Sequence, residues 1–242
     1  MLMNLKELSV VIPCFNEEAR IGKTVHTIES YLIEKGIDYE IIMVDDGSSD
    51  GTIDIAQRQA RNKKRFRAIQ LEHNQGKGNA VKTGALKASK EWIVFSDADL
   101  STPIETLDDF DNYSIFDIII GSRNLADSQI KIKQPFFRST LGKLFPFLVK
   151  LLVVRGIQDT QCGFKLMRRN VAQKIFPKQR IKGFAFDVEF IFLAQKYRFS
   201  IKELAVEWSN AGGSKVNPIA DSFRMLLSLA KIRMNDVLGK YD

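Results

Sequence analysis

Two aspartates spaced i, i+2 close an apolar run in Trp92-Ile93-Val94-Phe95-Ser96-Asp97-Ala98-Asp99. Paired carboxylates on one turn offer hard oxygen donors. They suit Mg²⁺ or Mn²⁺, which binds through one or two carboxylates and completes its shell with water and phosphate oxygens. The chemistry open to such a pair is to hold a metal ion against a diphosphate. An isolated Asp-x-Asp is more often a capped, solvated turn, so its meaning depends on the rest of the chain. The run before it is rich in β-branched and aromatic residues, as a buried strand requires. Ligands of open α/β sheets gather beyond the carboxyl ends of such strands, which is where Asp97 and Asp99 stand.

The elements that must position this pair can be read in order. Residues 8–13 form an apolar strand, and Ile21, Val25, Ile28 and Leu32 then recur at helical spacing. Residues 39–44 make a second strand. It ends in Asp45-Asp46-Gly47-Ser48-Ser49-Asp50-Gly51-Thr52, whose Ser, Asp and Thr are expected to cap a helix bearing Ile53, Ala56 and Ala60. Residues 67–71 are a third strand. A loop at 73–79 follows, then a helix through Ala80, Val81, Ala85 and Leu86. The strand at 92–96 is the fourth, and 116–120 is a further one. Strands alternating with helices predict a largely parallel, doubly wound α/β sheet with helices on both faces. The loops at 13–18, 45–50 and 76–78 then meet Asp97 and Asp99 at one sheet edge.

Composition bounds the function. With 242 residues, 45% hydrophobic and 27% charged, the chain can build one large domain, and no repeat or linker divides it. The net charge of +7 calls for an anionic partner without choosing one. A nucleic-acid partner is not expected, because no aromatic stacking platform or reading helix is recognisable. Cys14 and Cys162 are too few for a disulfide framework, which points to a reducing compartment. No signal peptide is visible before the first strand. The most apolar stretch, 141–154, is broken by Lys143, Pro146 and Lys150 and is too short to span a bilayer.

The Gly76-Lys77-Gly78 loop lacks the spacing of a Walker loop, and Asp-Gly-Ser is ordinary turn chemistry. The ordered set is far more specific. Residues 12–18 (Ile-Pro-Cys-Phe-Asn-Glu-Glu), 44–52, 74–80 and Asp97-Ala98-Asp99 together resemble family 2 inverting glycosyltransferases of the GT-A fold. Within that family the chain is similar to polyprenyl-phosphate sugar synthases, above all the dolichyl-phosphate glucosyltransferase branch, and more distantly to mannose synthases. The resemblance spans nearly the whole chain. It implies one GT-A domain over 1–242, with 1–124 binding the nucleotide sugar and 125–242 facing acceptor and membrane. It further implies that Pro13, Phe15, Glu17 and Asp46 hold base and ribose, with Asp45 also among the nucleotide-binding residues. Lys77 would lie near the nucleotide, and Asp97 and Asp99 would hold Mg²⁺ or Mn²⁺ on the diphosphate.

The second half extends the resemblance. Arg123 and Arg138 match arginines placed near phosphate, a role suited to a forked guanidinium. Asp159-Thr160-Gln161-Cys162-Gly163-Phe164-Lys165 and Gly183-Phe184-Ala185-Phe186-Asp187-Val188-Glu189 match the glucosyl branch, which implies Gln161 and Asp187 at the floor of the sugar site. Lys215 in Gly213-Ser214-Lys215 resembles a lysine near the phosphates. One position departs from the pattern: mannose synthases carry a glutamine metal ligand where this chain has Ser101, which leaves the third ligand open to water or substrate.

The implied donor is UDP-glucose or a similar nucleotide sugar, and the implied acceptor is a polyprenyl or dolichyl phosphate. An acceptor that is a sugar hydroxyl would instead need Asp187 as its base. Residues 131–155 interleave phenylalanines 136, 137, 145 and 147 with six cations, and residues 223–240 do so more sparsely. Such segments suit the interface of an anionic membrane, so peripheral attachment on the cytoplasmic face is expected.

Overall fold

The computed structural model describes residues 4–132, 148–149, 152–209 and 218–242. Its centre is a seven-stranded sheet in the order β3-β2-β1-β4-β7-β5-β8. The strands are β1 (Glu7–Cys14), β2 (Asp38–Asp45), β3 (Phe66–Gln70), β4 (Trp92–Ser96), β5 (Ile118–Ser122), β7 (Phe164–Arg168) and β8 (Ile201–Ala205). A separate pair of parallel strands, β6 (Gln129–Ile132) and β9 (Glu207–Ser209), lies apart from it.

Helices α1 (Glu18–Glu34), α2 (Thr52–Asn62) and α4 (Thr106–Asp111) cover one face of the large sheet, and α3 (Lys77–Lys87), α5 (Arg169–Ile175), α6 (Phe186–Lys196) and α7 (Pro218–Val237) cover the other. Covering on both faces is why β1, β2 and β4 read as continuous apolar runs: after its first residue, β1 is buried throughout. Val10, Ile12, Ile21, Val25, Ile28 and Phe110 pack on the first face. Val11, Val81, Phe95, Phe186, Phe190, Leu229 and Tyr241 pack on the second.

The mostly parallel, doubly wound reading holds, with one reversal. β7 runs antiparallel to both β4 and β5, whereas the other neighbours pair in parallel. A reversed strand enters the sheet at the end where its neighbours leave. The start of β7 therefore meets the finish of β4, Phe164 opposite Ser96.

Two local expectations are corrected. β5 lies two residues later than its apolar run suggests, because Gly121 and Ser122 pair with Leu204 and Ala205 of β8. At the start of α2 the N-cap is Gly51, which offers no side chain: Asp50, one residue earlier, accepts the Thr52 N–H on Oδ1 at 3.0 Å, while Ser48 and Ser49 are engaged with Asp45 and Asn16. Among the described residues no helix is long and apolar enough to cross a membrane.

Candidate active site

The loops leaving β1 and β2 are laced together before any ligand is considered. The Asn16 N–H donates to Ser48 Oγ at 2.8 Å, and the Ser49 N–H returns to Asn16 Oδ1 at 2.8 Å. The Glu17 N–H donates to Thr52 Oγ1 at 2.8 Å, and the Gly51 N–H to Glu18 Oε2 at 3.0 Å. Asn16 takes a left-handed φ of 55°, which its short amide side chain tolerates.

Asp45, fully buried, accepts both the N–H and the hydroxyl of Ser48. Asp46 reaches the next loop, its Oδ1 accepting the Gln75 N–H at 2.7 Å and its Oδ2 the Gly76 N–H at 2.8 Å. Burial pushes the Asp46 carboxyl above its ordinary range, against the pull of those amides. Both of its oxygens thus already hold backbone, so what Asp46 does directly is fix the loop ahead of Lys77. Pro13 is buried at the end of β1, Phe15 is partly exposed beside it, and Glu17 pairs with Arg20 at 2.8 Å.

Asp97 and Asp99 sit on a tight turn off β4. Leu100 is forced to φ 48°, a costly conformation for a γ-branched residue, and its N–H bonds the Asp97 carbonyl at 3.1 Å. Thr24 Oγ1, from α1, pins the Ala98 carbonyl at 2.6 Å. Lys77 Nζ reaches Asp97 Oδ1 at 2.6 Å, the first residue of α3 meeting the end of β4. Burial works against the charge on Lys77, but Asp97, Asp187 and Asp99 outweigh it and hold its pKa above the usual lysine value.

The donor set fits a divalent cation on its chemistry: two carboxylates on one turn, with Asp97 34% exposed at its side chain. Ser101 adds no carboxylate, and its N–H and carbonyl serve Asp99 Oδ1 at 2.9 Å and the Ser209 N–H at 2.8 Å. Among the described residues no third His, Cys, Asp or Glu completes a cluster.

β7 brings the opposite wall. Lys165 is fully buried, and its Nζ donates to Asp187 Oδ1 at 2.5 Å and to the Cys162 carbonyl at 2.6 Å. Asp187 lies in the first turn of α6. Burial raises its carboxyl above the ordinary range, against the attraction of Lys165 and Lys77. Gly163 abuts Asp97 so closely that a Cβ there would lie 2.0 Å from Oδ2.

Arg123 extends from the end of β5 into a two-pronged pair with Asp159, Nε to Oδ2 at 2.7 Å and Nη2 to Oδ1 at 3.0 Å, with its guanidinium over the Trp208 ring. Two of its nitrogens therefore serve a carboxylate instead of facing open solvent. Gln161 is tied to the same Asp159 through its N–H at 3.0 Å, and its Nε2 is buried without a hydrogen-bond partner.

Asp45, Asp46, Lys77, Asp97, Asp99 and Asp187 are thus brought to one sheet edge, with Arg123 and Gln161 on Asp159 beside it. Arg138, Lys215 and most of 131–155 lie outside the described residues. β6 and β9, which precede Arg138 and Lys215, end paired at Ile132 and Ser209, and the latter bonds Ser101. Sequence reading missed Lys165, Asp159 and the steric role of Gly163. The one signal available was a lysine inside the apolar run Phe164-Lys165-Leu166-Met167.

Residues 9–176 match the model of glycosyl transferase family 2. A dolichyl-phosphate beta-glucosyltransferase of Dictyostelium discoideum is 37% identical over 246 residues, 96% of this chain and 75% of the relative. Its Homo sapiens counterpart is 36% identical over 251 residues, 98% and 78% of the two chains. Among solved structures, mannosyl-3-phosphoglycerate synthase from Rubrobacter xylanophilus superposes with a TM-score of 0.69 at 16% identity, over 97% of this chain and 75% of that one. Glucosyl-3-phosphoglycerate synthase from Mycobacterium tuberculosis, solved with Mn²⁺, UDP and glucosyl-3-phosphoglycerate, gives 0.65 at 18%, over 94% and 80%. The structural likenesses carry the fold, and the sequence matches carry the family. Matched by the family model over residues 9–176 and by relatives along nearly its whole length, the chain belongs to glycosyl transferase family 2.

Proposed function

We propose that the protein is a metal-dependent inverting hexosyltransferase that moves glucose from UDP-glucose to a polyprenyl phosphate such as dolichyl phosphate. The observation that carries the reading is Asp97 and Asp99 on one turn with Lys77 held on Asp97, because this gathers the charges a sugar diphosphate needs. The acceptor class rests on the near full-length relatives named dolichyl-phosphate beta-glucosyltransferase. Asp97 and Asp99 would hold Mg²⁺ or Mn²⁺, which supplies charge neutralisation to a departing nucleoside diphosphate. The chain's own groups do the rest. Lys77 meets the donor phosphates, Phe15 and Glu17 line the nucleotide end with Pro13, Asp45 and Asp46 shaping the loops behind them, and Gln161 offers an unpartnered amide to the sugar.

A lipid phosphate, with a second pKa near 6, is mostly dianionic at neutral pH and needs no strong base. Its oxygen attacks the anomeric carbon in line and inverts it. Arg123, and by family resemblance Arg138 and Lys215, would screen the repulsion between acceptor and donor phosphates. Asp187 suits this reading better than that of a base for a sugar hydroxyl, because its Oδ1 is already engaged by Lys165. The test is a panel of labelled nucleotide sugars with and without polyprenyl phosphate. Transfer should require the lipid phosphate, prefer UDP-glucose, stop in EDTA and return with Mn²⁺ or Mg²⁺. Full transfer in EDTA, or transfer only to sugar hydroxyls, would overturn it.

The lipid acceptor calls for attachment at a membrane surface, here placed on the cytoplasmic face. Along α7, Phe223, Leu227, Met234 and Val237 recur at intervals of 4, 7 and 3 residues and are exposed, Val237 at 82%. They form a stripe separate from buried Leu229 and Ile232. Lys231 and Arg233 flank it. A second copy of the helix would bring these cations together, whereas anionic headgroups neutralise them at about 1 kcal/mol each. Vesicle sedimentation should show binding that rises with anionic lipid and falls with salt. Leu227→Ser with Met234→Ser should weaken it even at low salt. Indifference to vesicles would remove the membrane from this reading.

A further inference from the structure

Lys77 is held on Asp97 at one end, and the loop that carries it is held from an unexpected side. A Cβ on Gly76 would come within 2.6 Å of the Lys182 carbonyl, and one on Gly78 within 2.5 Å of Phe186 Cβ and 2.8 Å of that same carbonyl. Gly76 is also at φ +100°, so the loop is shaped to lie against residues 179–186. Hydrogen bonds fasten the contact. The Asn79 N–H reaches the Lys182 carbonyl at 3.2 Å, Gln179 Nε2 reaches the Gly78 carbonyl at 2.9 Å, and Lys82 Nζ reaches the Gln179 carbonyl at 3.0 Å.

Residues 179–182 are set in turn by one buried carboxylate. Glu189, on α6 and fully buried, accepts the Ile181 N–H at 2.7 Å and the Arg180 N–H at 3.0 Å on Oε2. Its Oε1 accepts the hydroxyl of Tyr241 and, at 3.1 Å, the same Arg180 N–H. Tyr241 is itself fully buried, its ring beside Phe192 and its hydroxyl also accepting Asn235 Nδ2 at 3.3 Å. Its carbonyl accepts the Tyr197 hydroxyl at 2.5 Å. A continuous line of hydrogen bonds therefore runs from Tyr241 through Glu189 and the 179–182 loop to Gly78 and Asn79, just after Lys77, while Gly76, just before it, packs on the same loop.

We propose that Glu189 and Tyr241 are positioning residues for Lys77, setting the donor-phosphate lysine from the far end of the chain. The inference rests on Lys77 and Asp97 forming the donor site. A buried carboxylate is held in one orientation only while its acceptor sites are filled, since each unmet one costs its full desolvation. Without the Tyr241 hydroxyl, Oε1 keeps only the Arg180 N–H that it shares with Oε2, so Glu189 turns, its grip on the Arg180 and Ile181 amides loosens, and the surface under Gly76 and Gly78 shifts. Burial already pushes the Glu189 carboxyl upward, which makes it dependent on these donors.

Tyr241→Phe, which removes one oxygen and keeps the ring, is the direct test, read by UDP titration with Mn²⁺ and by steady-state kinetics. The donor KM and the UDP Kd should each rise about tenfold, the loss of one charge-assisted hydrogen bond, with kcat within about twofold of wild type. Glu189→Gln should give the same split, and adding Tyr241→Phe to it should change nothing further. A lower melting temperature with unchanged KM and Kd in both variants would make the pair a packing feature and overturn the inference. A wild type that binds no UDP would instead remove the donor-site reading, and this inference with it.

Discussion

Gly163→Ala is expected to lower transfer by more than about 100-fold, close to the loss from Asp97→Asn, although it alters no charge and no ligand. The added methyl would sit 2.0 Å from Asp97 Oδ2 and 2.4 Å from its Cγ, so the carboxylate must leave its place. Gly163 has no left-handed φ, so alanine meets no backbone penalty and the effect is confined to Asp97. The variant should fold, with circular dichroism like wild type, while Mn²⁺ titration shows weakened binding and Asp97→Asn shows the same defect. Normal transfer by Gly163→Ala would mean that Asp97 works in another rotamer. The metal assignment would then have to rest on Asp99.

The second large effect is on stability. Lys165 and Asp187 are an ion pair with side-chain exposures of 0% and 4%. Removing one partner from a buried pair leaves the other uncompensated, at a cost of about 3–5 kcal/mol. Lys165→Met should therefore lower the melting temperature by ~10 °C or more in a chain of this size. Asp187→Asn should fall comparably, because it strands a buried ammonium. Lys165→Met combined with Asp187→Leu should recover most of that stability, since apolar replacements of a buried pair are often neutral. Activity should stay low in the double variant if Asp187 serves the site, and thermal melts beside initial rates separate the two. A single Lys165→Met with wild-type melting would sink the ion-pair argument. The pairing also means that loss of activity in Asp187→Asn alone is no test of a base, since folding falls with it.

What the sequence made legible follows from where each signal is stored. β1, β2 and β4 are buried on both faces, so their apolar runs identify them without knowledge of neighbours. The pairing of Asp97 and Asp99 on one turn was legible because it spans only three residues. The direction of β7 was not, because Phe164-Lys165-Leu166-Met167 reads the same whichever way the chain enters the sheet. β5 was misplaced by two residues because its end is set by pairing with β8, about 80 residues away in sequence, and not by its own isoleucines. The partnership of Lys165 with Asp187 spans 22 positions, and that of Asp46 with the Gln75 and Gly76 amides spans 29 and 30. Only the fold brings those groups together. Arg123 stood out as a candidate, but its forked hold on Asp159 depends on a chain segment 36 residues on.

The reversal of β7 bears on how such a chain can diverge. β5 and β7 are neighbours in the sheet, so the segment between them begins and ends at fixed, adjacent points, and its closing cost grows only logarithmically with its length. Because β7 enters against its neighbours, that segment delivers its last residue, Gly163, directly onto Asp97. Changes of length between Arg123 and Asp159 can thus be absorbed between two adjacent strand ends while β1 to β4 and their laced loops keep their pairing. Exchanging this one stretch between relatives is therefore the change that the β1 to β4 frame should tolerate best, since neither end of the graft would have to move.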